Sequence, residues 1–123
     1  MEKPEPLFIF GLPRSGTKLL RDILNSYPQI YIVEEETELL PYLFSQVNKY
    51  GDLSIYENFK KFYEKIYKNE FFYLNKPISM NNWYYSCKYY TANEIFRVLI
   101  LHVLGLDENN SFFYWGDKSP SYI

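Results

Sequence analysis

Two glycines five residues apart, Gly11 and Gly16, bracket a short loop, LPRS, that joins an apolar run, LFIF (7–10), to an amphipathic stretch opening with Thr17 and Lys18. A loop entering a helix offers phosphate-like oxygens its backbone N–H groups and the partial positive end of the helix, with no particular side chain required. The spacing meets the first half of the ATP-binding phosphate-loop pattern. That pattern continues with Lys and then Ser or Thr, whereas here Thr17 precedes Lys18. The hydroxyl that normally supports a magnesium-bridged nucleotide is thus missing from its place. Arg14 instead puts a permanent, forked cation inside the loop, and Ser15, Thr17 and Lys18 add donors. The chemistry expected is metal-free transfer from a phosphorylated cofactor, with cations offsetting the charge that moves.

Two further groups could take part. The acidic run EEETE (34–38) offers a general base, although such runs are commonly the solvated first turn of a helix. Lys118, in WGDKSP, would be a surface lysine unless a strand end carries it to the loop. His102 lies in an apolar helical stretch and reads as structural. Arg21 reads as capping or pairing on the first helix.

The elements that must position these groups follow from periodicity and turn signals. Residues 7–10 read as a strand, and a helix from Gly16 to Ser26, ending before Pro28, carries Leu19, Leu20, Ile23 and Leu24 as its apolar face. QIYIV (29–33) reads as a second extended segment. About ten helical residues descend roughly 15 Å and four extended residues climb back roughly 13 Å, so the acidic run returns to the rim of the anion loop. A helix is expected from Thr37 to Lys49, with Pro41 in its first turn and Gly51 after it. Another is expected from a Ser54/Glu57 capping box to Asn69, with Ile55, Phe59, Phe62 and Ile66 inward. Residues 70–90 show no sustained period and read as loop with at most one helical turn. Thr91 and Glu94 form a capping box for a helix that stops at Gly105. Phe112 to Trp115 reads as a third strand, with Ser119 and Pro120 opening a helix beyond it. If that strand is parallel to the first, Lys118 joins the loop and the glutamates at the usual binding edge of an open α/β sheet.

Composition bounds the rest. The chain has 123 residues and a formal charge of -2, so it is at most one domain and has no basic field for nucleic acid. One cysteine, Cys87, leaves no disulfide frame and no clustered thiolate metal site. No signal peptide or membrane span is visible, and a cytoplasmic protein that binds neither nucleic acid nor membrane is expected.

The stretches GLPRSGTKLLRDILNSYPQIYIVEEET and WGDKSPSYI resemble the sulfotransferase family, most closely the tyrosylprotein sulfotransferases and their bacterial relatives. The likeness is strong over 6–43 and moderate over 112–123. It implies transfer of a sulfuryl group from 3′-phosphoadenosine 5′-phosphosulfate to a hydroxyl or phenol of a protein tyrosine, a carbohydrate or a small molecule, with no metal. It also implies that Pro13, Arg14, Ser15, Gly16, Thr17 and Lys18 hold the 5′-phosphosulfate. Arg14 and Lys118 would neutralise the transferring group and its leaving phosphate, and a glutamate would be the base. An ungapped count from Arg14 selects Glu35. The local pattern EETELLP selects Glu36, with one inserted residue.

In that family an Arg and a Ser near a later stretch such as VRDPR hold the cofactor's 3′-phosphate, and no such stretch occurs by Ile123. Three four-residue strands also make a meagre parallel sheet. The fold expected is therefore α/β, a P-loop-like parallel sheet flanked by helices and truncated after its third strand. Residues 1–123 would form one incomplete domain, with the loop at 11–18 and a helical lid or subdomain at about 37–105. A carboxy-terminal half would complete it, whether lost by fragmentation, absent from a truncated gene product or supplied by a partner chain. Two other functions compete: a phosphate-loop nucleotide kinase or hydrolase with a degenerate loop, and an inactive truncated fragment that keeps the anion loop.

Overall fold

The computed structural model of the protein describes residues 4–9, 16–33, 40–106 and 114–118. The chain divides into two compact units, Met1–Glu38 with Ile100–Ile123, and Leu39–Leu99. The fold class is α/β, as the sequence implies, with a three-stranded parallel sheet and helices.

In the first unit β1 (Glu5–Ile9), β2 (Ile30–Ile32) and β3 (Tyr114–Lys118) lie in the order β1-β3-β2, every pair parallel. Both outer strands suit that place. Pro6, which has no N–H for a ladder, is tolerated on an edge strand such as β1. The outward N–H and C=O of Ile32 in β2 are taken by one amide: Ile32 N–H donates to Asn25 Oδ1 (2.7 Å) and Asn25 Nδ2 donates to the Ile32 carbonyl (3.0 Å). Asn25 thereby ties β2 to α1 (Thr17–Asn25) and blunts that edge. The central strand needs Gly116, because a Cβ there would lie 1.6 Å from the Leu7 carbonyl oxygen of β1. The third strand continues past Trp115, where it is expected to end, so that Lys118 lies at the end of the strand rather than beyond it.

α1 runs where the periodicity predicts, but its apolar face is not its buried face. Leu19, Leu20 and Ile23 are 65%, 47% and 49% exposed, while Arg21 is 6% exposed. Periodicity shows that one face is apolar, and only tertiary packing decides which face meets the sheet. Arg21 does pair on its own helix, with Asp22 at 3.3 Å, as expected.

The second unit is helical: α2 (Leu40–Val47), α3 (Tyr56–Ile66), α4 (Glu70–Asn75), α5 (Met80–Ser86) and the start of α6 (Ala92–Leu104). Its core is aromatic. Trp83 is fully buried, stacks on Phe72 (centroids 5.3 Å) and meets Phe59 edge-on (5.7 Å), and its Nε1 donates to the Ile95 carbonyl at 2.8 Å. Residues 70–90, read as loop, instead hold α4 and α5. These helices are too short to show a period. Lys76, left-handed at φ 46°, follows the first, and the Ser79 hydroxyl caps the second by accepting from the Asn82 N–H.

The Ser54/Glu57 capping box does not form. Ser54 gives both its N–H (2.9 Å) and its hydroxyl (2.7 Å) to Asp52 Oδ1, an Asx turn, and the cap falls to Ile55, which is exposed rather than inward. Phe59, Phe62 and Ile66 are buried as expected. At α6 the Thr91 hydroxyl accepts from the Glu94 N–H (3.3 Å). The Glu94 carboxylate accepts from the Lys88 N–H (2.8 Å) and pairs with Arg97 through Nε (2.6 Å) and Nη2 (3.1 Å). The segments 37–39 and 112–113 and the helix expected from Ser119 lie outside the described residues.

Candidate functional site

The sheet carries the ends of its strands to one rim. In the parallel register Phe8 lies opposite Asp117 and Ile9 opposite Lys118, while the Val33 N–H donates to the Gly116 carbonyl at 3.0 Å. Ile9, Val33 and Lys118 therefore end at the same carboxyl edge, where an open parallel sheet binds its ligands.

Gly16 makes the turn from loop to helix. Its backbone is left-handed (φ 93°, ψ 7°) and nothing crowds the space a Cβ would fill, so conformation rather than close approach demands glycine there. It is the N-cap of α1, its carbonyl accepts the Leu20 N–H at 3.0 Å, and as a glycine it has no side chain with which to cap the helix. The first-turn N–H groups are thus the donors an anion would meet. Thr17 is the first helical residue, and Lys18 follows it exposed to solvent.

Of the site residues expected from sequence, Gly16, Thr17 and Lys18 open α1, which packs on β2 and β3, and the backbone of Lys118 ends β3 at this rim. Pro13, Arg14, Ser15, Glu35 and Glu36 lie outside the described residues. Two burials of charge escaped the sequence reading: Asp117 is fully buried on the central strand, and Arg21, read only as capping or pairing, is buried on α1. The alternation Trp115-x-Asp117 in a buried parallel strand is the signal that could have found the first. Nothing in the helical pattern marks the second. Among the described residues no group of three or more His, Cys, Asp or Glu is placed to hold a metal, and no helix is long and apolar enough to cross a membrane.

The family model for sulfotransferases matches residues 6–123, nearly the whole chain. The chain belongs to the sulfotransferase family. Comparison with curated proteins and with solved structures returned no match. The match extends through the central region, between the two stretches that carry the resemblance.

Proposed function

We propose that the protein transfers a sulfuryl group from 3′-phosphoadenosine 5′-phosphosulfate to a hydroxyl or phenol oxygen. The observation that carries this reading is the N-terminus of α1, opened by a left-handed Gly16, on a helix packed against a parallel sheet in a chain of this family. The donor set fits a multiply charged oxyanion: first-turn N–H groups, the Thr17 hydroxyl, and the cations Arg14, Lys18 and Lys118. The bound donor supplies an activated sulfuryl group, whose sulfur–oxygen bond to phosphate breaks as the acceptor oxygen attaches. Residues 13–18 hold the phosphosulfate in place. Arg14 and Lys118 offset the negative charge left on the phosphate. Glu36, or Glu35 if the count from Arg14 is ungapped, takes the acceptor's proton. With its one cysteine buried and reduced, a cytoplasmic location belongs to the same proposal.

Calorimetry tests the reading directly. Adenosine 3′,5′-bisphosphate is expected to bind with or without a chelator, and ATP with magnesium is not. Binding of ATP that depends on magnesium would make the protein a phosphate-loop kinase or hydrolase; binding of neither ligand would make it an inactive anion-loop module. For turnover, labelled sulfate transfer is measured on tyrosine peptides, carbohydrates and small phenols, and label on amines alone contradicts a hydroxyl acceptor. Glu36→Gln keeps shape but removes the proton acceptor, so turnover should fall by about 100-fold or more while nucleotide binding persists. The wild-type rate should rise with pH as the glutamate ionises, since only the carboxylate can accept the proton. A dead Glu35→Gln beside a live Glu36→Gln would reverse the assignment.

A further inference from the structure

The aromatic core of the helical unit continues to the surface through a chain of rings in contact. Phe59 of α3 is fully buried and meets Tyr84 of α5 edge-on, with centroids 5.3 Å apart. Tyr84 stands nearly perpendicular to two further rings, Tyr56 (5.2 Å, 87°) and Tyr85 (5.0 Å, 82°), and those two lie 31° from parallel with centroids 6.4 Å apart. Tyr85 ends the chain of rings in solvent, 73% exposed. The rings behind it are fixed, because the Tyr84 hydroxyl donates to the Ser54 carbonyl and the Tyr56 hydroxyl donates to Asn81 Oδ1 at 2.9 Å. Among the described residues the Asn81 amide nitrogen and the Tyr85 hydroxyl have no hydrogen-bond partner. A ring already held by its neighbours loses little freedom when a ligand stacks on it.

We propose that the Tyr85 ring, backed by Tyr56 and Tyr84, is a platform for an uncharged carbohydrate chain, with the Asn81 amide and the Tyr85 hydroxyl bonding to sugar hydroxyls at its edge. A sugar ring offers one face of weakly positive C–H bonds to the negative face of an aromatic ring, and its own hydroxyls to neutral donors and acceptors. Charge narrows the choice of occupant. The polar groups beside the platform, an amide and tyrosine hydroxyls, are neutral, and the chain carries a formal charge of -2. That balance suits a neutral saccharide and opposes a nucleic-acid strand, whose bases also stack on aromatic rings but whose phosphates need a cationic groove. The proposal stands apart from sulfuryl transfer, because it involves the helical unit alone.

Calorimetric titration of the full chain with cellohexaose, maltohexaose and mannohexaose decides it. At least one of them should bind with a Kd of about 1 mM or tighter, and its binding should slow hydrogen exchange in α5 and leave α4 unchanged. Tyr85→Ala should weaken that binding by about tenfold or more, whereas Tyr85→Phe, which keeps the ring face, should weaken it by less than about threefold. Tyr85 lies mostly in solvent, so Tyr85→Ala should unfold in urea close to the wild-type midpoint. Tyr73→Ala removes a tyrosine that is 65% exposed and has no ring neighbour among the described residues, and should leave binding unchanged. The proposal is overturned if no saccharide binds, if Tyr85→Ala binds normally, or if Tyr73→Ala reproduces its loss. A dimer in ultracentrifugation that Tyr85→Ala dissociates would give the ring to a second copy of the chain and overturns it as well. Binding of adenosine 3′,5′-bisphosphate is measured separately, so failure of the platform and failure of the sulfotransferase reading are distinguishable.

Discussion

The two units differ in what they bury. The helical unit places Phe59, Phe62, Phe72, Trp83, Ile95 and Leu99 out of solvent, and its one buried carboxylate among the described residues, Glu94, is bound by Arg97 and by the Lys88 N–H. The sheet unit has three short strands, buries Arg21 and Asp117, and leaves Leu19, Leu20 and Ile23 in solvent. Hydrophobic burial scales with apolar area removed from water. The helical unit is therefore expected to be the more stable one, while the sheet unit buries charge, Arg21 and Asp117, as well as Ile9, Ile32, Val33 and Trp115. A less apolar unit and a well-packed one in the same chain is the arrangement expected where function opposes stability.

The largest expected effect attacks the stronger unit. Trp83→Ala removes the ring against which Phe59, Phe62 and Phe72 pack, together with a buried hydrogen bond to the Ile95 carbonyl. It should cost about 3–5 kcal/mol. Segment-resolved hydrogen exchange should show α3, α5 and α6 losing protection. Equal loss in β1 and β3 would mean that the chain unfolds as one cooperative body, and the contrast between units would then describe packing without describing stability.

Gly116→Ala attacks the weaker unit. A methyl group 1.6 Å from the Leu7 carbonyl oxygen forces β1 and β3 apart, at a cost of about 2–3 kcal/mol, the upper end for overpacking. Exchange should rise in β1 and β3 and stay unchanged in α3 and α5. Normal protection of β1 in this variant would show that the strands can separate without strain, and that the glycine is there for another reason.

How much of this was legible in the sequence differed between the units in the opposite sense to stability. The strand and the helix start of the sheet unit, β1 and α1, were readable because Gly16 and the short apolar run follow from backbone geometry. Gly16 is left-handed as a loop-to-helix turn requires. In the helical unit α3 and α6 were legible through their periods, but α4 and α5 were not, since six or seven residues give less than two turns of pattern. The Ser54 cap failed because Asp52, two residues earlier, competes for the same hydroxyl. Least legible was the direction in which α1 faces, because an amphipathic stripe does not say what lies on either side of it. The residues expected to do the chemistry, Arg14, Glu35 and Glu36 among them, lie outside the described residues and stand on the family resemblance.

The helical unit has one flaw by its own standard, and removing it sharpens the comparison. Gln46 on α2 is 5% exposed, its Nε2 reaches only the Ser45 hydroxyl at 3.4 Å, and its Oε1 has no hydrogen-bond partner. An unsatisfied buried acceptor costs more than a modest bond returns. Gln46→Met has nearly the same shape without the amide, and should stabilise the protein by about 1 kcal/mol in urea unfolding. A destabilised variant would show that Oε1 finds a partner in solution, and that the amide belongs to the packing.

The smallest effect concerns pH. Hydrogen bonds from the Ser54 hydroxyl first and the Ser54 N–H second hold the Asp52 carboxyl below its ordinary range. A carboxylate whose folded pKa is depressed adds stability that is fully present above its unfolded value, about 3.9, and lost as pH falls through the folded one. The Asp52 turn leads directly into α3, so acid should loosen the entry to the helical unit by this route, and only slightly, because the carboxylate is fully exposed. Asp52→Asn removes that titration. The difference in unfolding midpoint between wild type and variant should be constant from pH 7 down to about 5 and shrink below about 4. A difference that stays constant through the acid range would mean that the turn is held by Asn as well as by Asp, and that the charge contributes nothing to the entry of α3.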